Sequence, residues 1–247
     1  MKQDEKTSRA AEGCPYGRSM NLIPYPADYD TTSSGGSSFQ NRGDHLDSPY
    51  FCHPDFYHMT STDTLTILPE FKTYQQTTEY TCGTCAALMV LNYFGKTDWK
   101  EFDMGKIMGS VPMIGTNTAG MVRFFNHIDW DVQSSPTDGR LPKGATFEDP
   151  KEFRKWVLEN LKAGLPIMVE WLDWGGHWQV IIGYDTMGTD SISDDVVIFA
   201  DSYDTTDHLQ DGYYVFPAER FYNMWKDLCM LPPEASAQQW VIAKPKK

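Results

Sequence analysis

Three side chains in this sequence have the types needed for acyl transfer: Cys82, His177 and Asp201. A thiolate attacks a carbonyl carbon. An imidazole within hydrogen-bond reach takes its proton and returns it, and a carboxylate holds that imidazole in one tautomer and orientation. The oxygen that turns negative needs hydrogen-bond donors as well. Gln76 lies 6 positions before Cys82, close enough in a folded-back loop to aim its side-chain amide at that oxygen. The backbone N–H of Cys82 would be the second donor, and Gln75 replaces Gln76 if the loop register differs. Each residue alone has a plainer explanation. A cysteine at a helix start is commonly a small buried apolar residue, and an aspartate after a strand is commonly a turn residue. The combination is what points to chemistry.

The elements around these residues predict how they meet. The polar stretch Gln75 to Thr81 runs into Ala86-Ala87-Leu88-Met89-Val90-Leu91-Asn92-Tyr93-Phe94-Gly95, a run of helix formers and apolar residues with a glycine stop. Cys82 therefore sits at a helix N-terminus, where unpaired amides and the helix dipole favour an anion. His177 opens the apolar strand His177 to Tyr184, and Asp201 ends the next one, Val196 to Ala200. An antiparallel connection between them brings His177 and Asp201 to one sheet edge.

Further helices are expected from an Asp98 cap through Trp99, Phe102 and Ile107 to about Gly109, and from Asn117 or Thr118 through Phe125 and Ile128. Asp149 and Pro150 open another, ending at Gly164, and Pro217 to Lys226 a last one. Leu65 to Leu68, Trp130 to Gln133, Pro166 to Leu172 and Gln239 to Ala243 read as strands. Helices first and antiparallel strands later is the α+β pattern. Trp171, Trp174 and Trp178 crowd the histidine segment, mostly as core, with one available to wall a cleft.

Residues 1–62 differ from the rest. Thr31 to Ser38 is linker-like and aliphatic residues are few, so a poorly structured arm is expected, followed by a catalytic domain over 63–247. The arm is either a tail or a cover over the cleft, with Tyr50-Phe51 and Phe56-Tyr57 lying on the domain surface. Cys52, His53 and His58 are too few for a zinc site and Cys14 is distant, so no metal or cofactor is expected. The net charge of −13 argues against nucleic acid as a partner and mildly suits basic substrates. No apolar run approaches the roughly 20 residues that span a bilayer. The charged start Met1-Lys2-Gln3-Asp4-Glu5-Lys6 leads into no apolar segment, and the 5 cysteines are scattered. Those features suit a cytoplasmic protein, or a secreted one whose signal has been removed.

The wording of three segments resembles a known family. Gln76 to Gly83 followed by Ala86 to Gly95, then Gly175-Gly176-His177-Trp178-Gln179-Val180-Ile181-Ile182-Gly183-Tyr184-Asp185, then Ile198-Phe199-Ala200-Asp201-Ser202, are similar to the three motifs of C39-like cysteine peptidases in the papain-like superfamily. Phe221 and Trp225 are similar to their closing helix. Many members have Asp-Pro where this chain has Asp201-Ser202. The resemblance implies a papain-like fold, with the nucleophile helix packed on an antiparallel sheet. It also implies that Cys82 is the nucleophile, His177 the base and then acid, Asp201 the orienter and Gln76 the oxyanion donor. The substrate would be a peptide or small amide. Phytochelatin synthases share the motif order, so a peptidyl transferase through the same thioester is an alternative.

Two other readings differ in class. Cys82-Gly83-Thr84-Cys85 is a C-x-x-C at a helix start, as in thiol–disulfide oxidoreductases, although no βαβ context precedes it. A papain-like domain without activity, used for binding, would be free to lose one of the three catalytic types, and this chain keeps all three.

Overall fold

The computed structural model describes residues 49–112, 114–137, 147–204, 209, 211–225 and 238–246, the side chain of Trp174 excepted. Most of the expected arm, its Ser/Gly linker and Cys14 lie outside the described residues. So do Lys226, the expected end of the last helix, and everything from there to 237.

The chain begins with the short strand β1 (Leu65–Ile67) and then forms three helices, α1 (Cys82–Tyr93), α2 (Glu101–Met108) and α3 (Thr118–His127). β2 (Trp130–Ser134) and α4 (Pro150–Lys162) follow. The remainder is mostly strand: β3 (Ile167–Trp171), β4 (His177–Asp185), β5 (Val196–Ala200), β6 (Tyr213–Pro217) and β7 (Gln239–Pro245), with α5 (Ala218–Met224) between the last two. All strands join one antiparallel sheet in the order β2-β7-β3-β4-β5-β6, with β1 also on β4. The architecture is α+β.

β4 is the axis of this sheet. One side of it bonds β3 along its first half and β1 along its second, and the other side bonds β5. Eight of its nine residues are buried, which explains the unbroken apolar run Val180-Ile181-Ile182. Two layers cover the sheet. Trp178 and Trp130 face α1 and α3, and Trp171, Tyr184 and Trp240 face α4 and α5, where Phe153, Phe221 and Trp225 stack among them.

Local signals hold at several ends. Asn117 caps α3 by accepting the Gly120 amide, Asp149 caps α4 by accepting from Lys151 with Pro150 in the first turn, and Gly109 closes α2 in the left-handed region. Three expectations are corrected. α2 starts at Glu101 with Lys100 as its flanking residue, so Asp98 is not its cap. Tyr213–Pro217 is a strand that the sequence reading passed over, and α5 begins only after it. Near the arm, Phe56 is buried against Tyr213, whereas Tyr50 and Phe51 stand exposed.

Candidate active site

The polar loop before α1 is held from two sides. The buried Glu101 carboxylate, on the first turn of α2, accepts the Thr77 amide with both oxygens at 3.2 Å. The Thr81 hydroxyl bonds the Thr78 amide at 3.0 Å and so folds the loop back on itself just before Cys82. Cys82 is the first residue of α1, and no side chain caps that helix start. α1 is buried from Cys82 to Leu91, so it is a central helix and not one with a single apolar face.

Gly83 explains how the sheet reaches this helix. A side chain there would stand 2.9 Å from Thr116 Cβ and 3.0 Å from Trp178 Cδ1, so only glycine lets β4 pack against the helix start. Trp178 is fixed there by donating its indole N–H to the Thr116 carbonyl at 2.7 Å. One residue earlier, His177 opens β4 at the sheet edge. Its Nε2 lies 2.6 Å from Asp201 Oδ1, and Cys82 is close enough to act on its charge. With Nε2 taken by Asp201, Nδ1 is left for the sulfur.

Asp201 is densely wired. Oδ1 also accepts the Tyr203 amide at 2.8 Å, and Oδ2 accepts Gln179 Nε2 at 2.9 Å. Trp171 in turn donates its indole N–H to Gln179 Oε1 at 2.6 Å. Burial by itself would raise the Asp201 carboxyl, but the His177 charge and these donors outweigh it and hold it below the usual range. Burial would likewise lower His177, but Asp201 first and then Cys82 outweigh it and hold the imidazole well above its ordinary value. The two shifts agree in sign: each group favours the charged form of the other.

Gln76 belongs to the same network. Its backbone N–H donates to the Ser202 carbonyl at 3.0 Å, and its Oε1 accepts the Ser202 hydroxyl at 2.8 Å. Its Nε2 gives one hydrogen to the Thr78 carbonyl at 2.7 Å, which leaves the second uncommitted. The amide is therefore fixed in one of its two flip states by Ser202. Gln75 is also buried, but its side-chain amide makes no hydrogen bond among the described residues.

Cys85 lies one turn deeper and is fully buried, with its thiol on the Tyr74 carbonyl at 3.4 Å. Burial, reinforced by Glu101, Cys82 and Asp201, pushes this thiol well above its ordinary value. No disulfide joins it to Cys82; both are free thiols. Among the described residues no three metal-ligating side chains come together, and no helix is long and apolar enough to cross a membrane. Of the arm's candidate ligands, His58 is paired with Asp55 at 2.9 Å and Cys52 is exposed.

A buried thiol, imidazole and carboxylate in line at a helix start invite comparison with known proteins. The model of the Peptidase_C39 like family matches residues 68–229, a span that contains Gln76, Cys82, His177 and Asp201. The chain belongs to this family. Its α+β architecture is accordingly the papain-like cysteine peptidase fold.

Solved structures with similar folds include the peptidase domain of Streptococcus ComA, a bi-functional ABC transporter involved in a quorum-sensing pathway. It is 14% identical, with 71% of this chain and 99% of that one covered and a TM-score of 0.41. A double glycine motif protease from an AMS/PCAT transporter, solved with a leader peptide, is 16% identical over 75% of this chain and 96% of that one, at a TM-score of 0.44. Xylellain, a cysteine protease from Xylella fastidiosa, is 14% identical over 91% and 97%, also at 0.44. No curated protein matches the sequence.

Several residues that support the C39-like site carry no signal of their own in the sequence. Glu101 reads as an ordinary helix-start acid, and Trp171 and Gln179 as alternate residues of two strands. Ser202 is the exception: its place beside Asp201, where proline is frequent in the motif, is a visible departure.

Proposed function

We propose that the chain is a cysteine peptidase or amidase that cleaves a peptide or amide bond through a thioester on Cys82. The observation that carries this reading is the position of His177, hydrogen-bonded to Asp201 and close enough to Cys82 for the two side chains to act on each other, with its charge favoured. An imidazole held beside a helix-start sulfur by a carboxylate is placed to pass a proton during acyl transfer.

In this reading the Cys82 sulfur attacks the carbonyl carbon. The Cys82 backbone N–H and the uncommitted Gln76 Nε2 hydrogen face the developing oxyanion. His177 gives its proton to the leaving amine as the C–N bond breaks. A water molecule then loses a proton to His177 as it attacks the thioester, and Cys82 leaves as thiolate with release of the acid.

The burial of Cys85 and its hold on its proton speak against the redox reading, in which the second cysteine must be able to ionise and exchange. The decisive experiment is intact-mass labelling with electrophilic peptides, with the modified cysteine mapped. Label on Cys82, lost in Cys82→Ala and retained in Cys85→Ala along with turnover, supports the peptidase. If Cys85→Ala is as inactive as Cys82→Ala and disulfide reduction is found instead, the oxidoreductase reading replaces it.

A further inference from the structure

Glu170 is a carboxyl group near this site that the mechanism does not use. It lies on β3 with Trp178 of β4 and Gln239 of β7 as its cross-strand neighbours. Cross-strand partners share a sheet face. Trp178 rests on Gly83, next to Cys82, and Gln239 accepts the Thr118 hydroxyl at the start of α3 at 2.6 Å. Glu170 therefore points to the side of the sheet where α1 and α3 begin. Its Oε1 is 3.7 Å from where a side chain of Gly176 would start, and Gly176 directly precedes His177. Gly176 itself places no side chain against the carboxylate.

Glu170 is only partly buried, and it makes no hydrogen bond or ion pair with any of the described residues. Desolvation pushes its carboxyl up to about 7, and the charge of His177 opposes this. A partly exposed carboxylate kept at a desolvation cost without donors, on the sheet face that meets the helix of Cys82, has the character of a ligand site awaiting its counterion.

We infer that Glu170 is a specificity-determining residue that receives a cationic group of the substrate, an arginine or lysine side chain or a free amino group, beside the scissile bond. This rests on the peptidase reading above. A cation on the substrate would supply the donors that the fold withholds, as a charge-assisted hydrogen bond in a partly desolvated place. Gly176 leaves room for its approach. The opposite charge of His177 is retained by Asp201, which competes with Glu170 for it at 2.6 Å.

The test uses a positional scan of short peptides in which arginine is exchanged for citrulline, its uncharged isostere, one position at a time. Carried on a thiol-reactive warhead, they report the rate of Cys82 labelling. At one position arginine should be preferred by about 10- to 100-fold, the worth of one charge-assisted bond. Glu170→Gln should bring that ratio close to one, and Glu170→Lys should invert it in favour of citrulline over arginine. An arginine-to-citrulline ratio that is the same in wild type and Glu170→Gln at every position overturns the inference. The same peptides without the warhead, bound to Cys82→Ala and to Cys82→Ala/Glu170→Gln and read by fluorescence anisotropy, separate the two readings. Arginine-selective binding that needs Glu170 supports the charge recognition even if Cys82 is never labelled. Equal binding of the two peptides overturns it even if Cys82 is labelled readily.

Discussion

Two carboxyl groups flank His177, one at the end of β5 and one in the middle of β3, and they behave in opposite ways. Asp201 is the more deeply buried, yet its proton is held more weakly than usual, because His177, the Tyr203 amide and Gln179 all donate to it. Glu170 is less buried, yet its proton is held more tightly, because desolvation raises it and no donor among the described residues offsets that. Both carboxyl groups are desolvated; the His177 charge and the donors around it are what separate them. The loop after β5 is a wired region and the centre of β3 an unwired one. The wired region suits a group that must keep its place while protons move. The unwired one suits a group whose partner arrives from outside.

The largest expected effect breaks the wired side at its centre. Asp201→Asn keeps the shape but reverses the hydrogen bonding, so His177 should lose its orientation and turnover should fall by about 10⁴. Iodoacetamide should still modify Cys82, because the sulfur and the helix start are untouched. Turnover within tenfold of wild type would show that the Asp201 wiring is only structural.

The next effect removes a group tied to that wiring through Ser202. Gln76→Ala should cost roughly 10² to 10³ in kcat, the usual loss for one oxyanion donor. The pH profile of Cys82 alkylation should stay where it is in wild type. By contrast His177→Ala should slow the alkylation of Cys82 and remove turnover together. Alkylation and turnover left unchanged by His177→Ala would dissolve the Cys82–His177 pair on which the comparison depends.

A smaller change sharpens the comparison by loosening one wire. Ser202→Ala frees Gln76 Oε1 and lets the amide flip, which should lower kcat about tenfold with little change in KM, the value of one buried hydrogen bond. Ser202→Thr should restore most of it. Equal loss in both variants would assign Ser202 to packing.

The smallest effect is on stability, and its sign differs between the two carboxyl groups. The folded carboxyl of Asp201 lies below its ordinary 3.8, so its contribution is present above that pH and is lost as pH falls. His177 lies above its ordinary 6.5, so its contribution is present below that pH and is lost as pH rises through the raised value. Glu170 runs against Asp201: it ionises at 4.5 when unfolded and at about 7 when folded, so the native state loses stability as pH climbs between those values. Urea unfolding at pH 5 and pH 8 checks this. Glu170→Gln should gain on the order of 1–2 kcal/mol over wild type at pH 8 relative to pH 5, whereas Asp201→Asn should lose stability at both.

What the sequence determined by itself was what depends on local order and type. The start of α1 at Cys82, the caps at Asn117 and Asp149, and strands at 177 and 196 follow from residue types a few positions apart, which chain connectivity alone brings together. The four residues Gln76, Cys82, His177 and Asp201 stood out because their motifs are short and contiguous. Local order failed where packing decides: the Asp98 cap was not used, because the helix starts at Glu101, whose carboxylate is drawn inward to the Thr77 amide. Tyr213–Pro217 became a strand because β5 offered it an edge. Only the tertiary structure chose Gln76 over Gln75 for the link to Ser202, made Gly83 the contact point of Trp178, and buried Cys85 beyond exchange. It also set Asp201 among donors and Glu170 without them. Those outcomes depend on which distant segments touch, and a carboxyl group's charge is set by neighbours that the linear sequence does not place beside it.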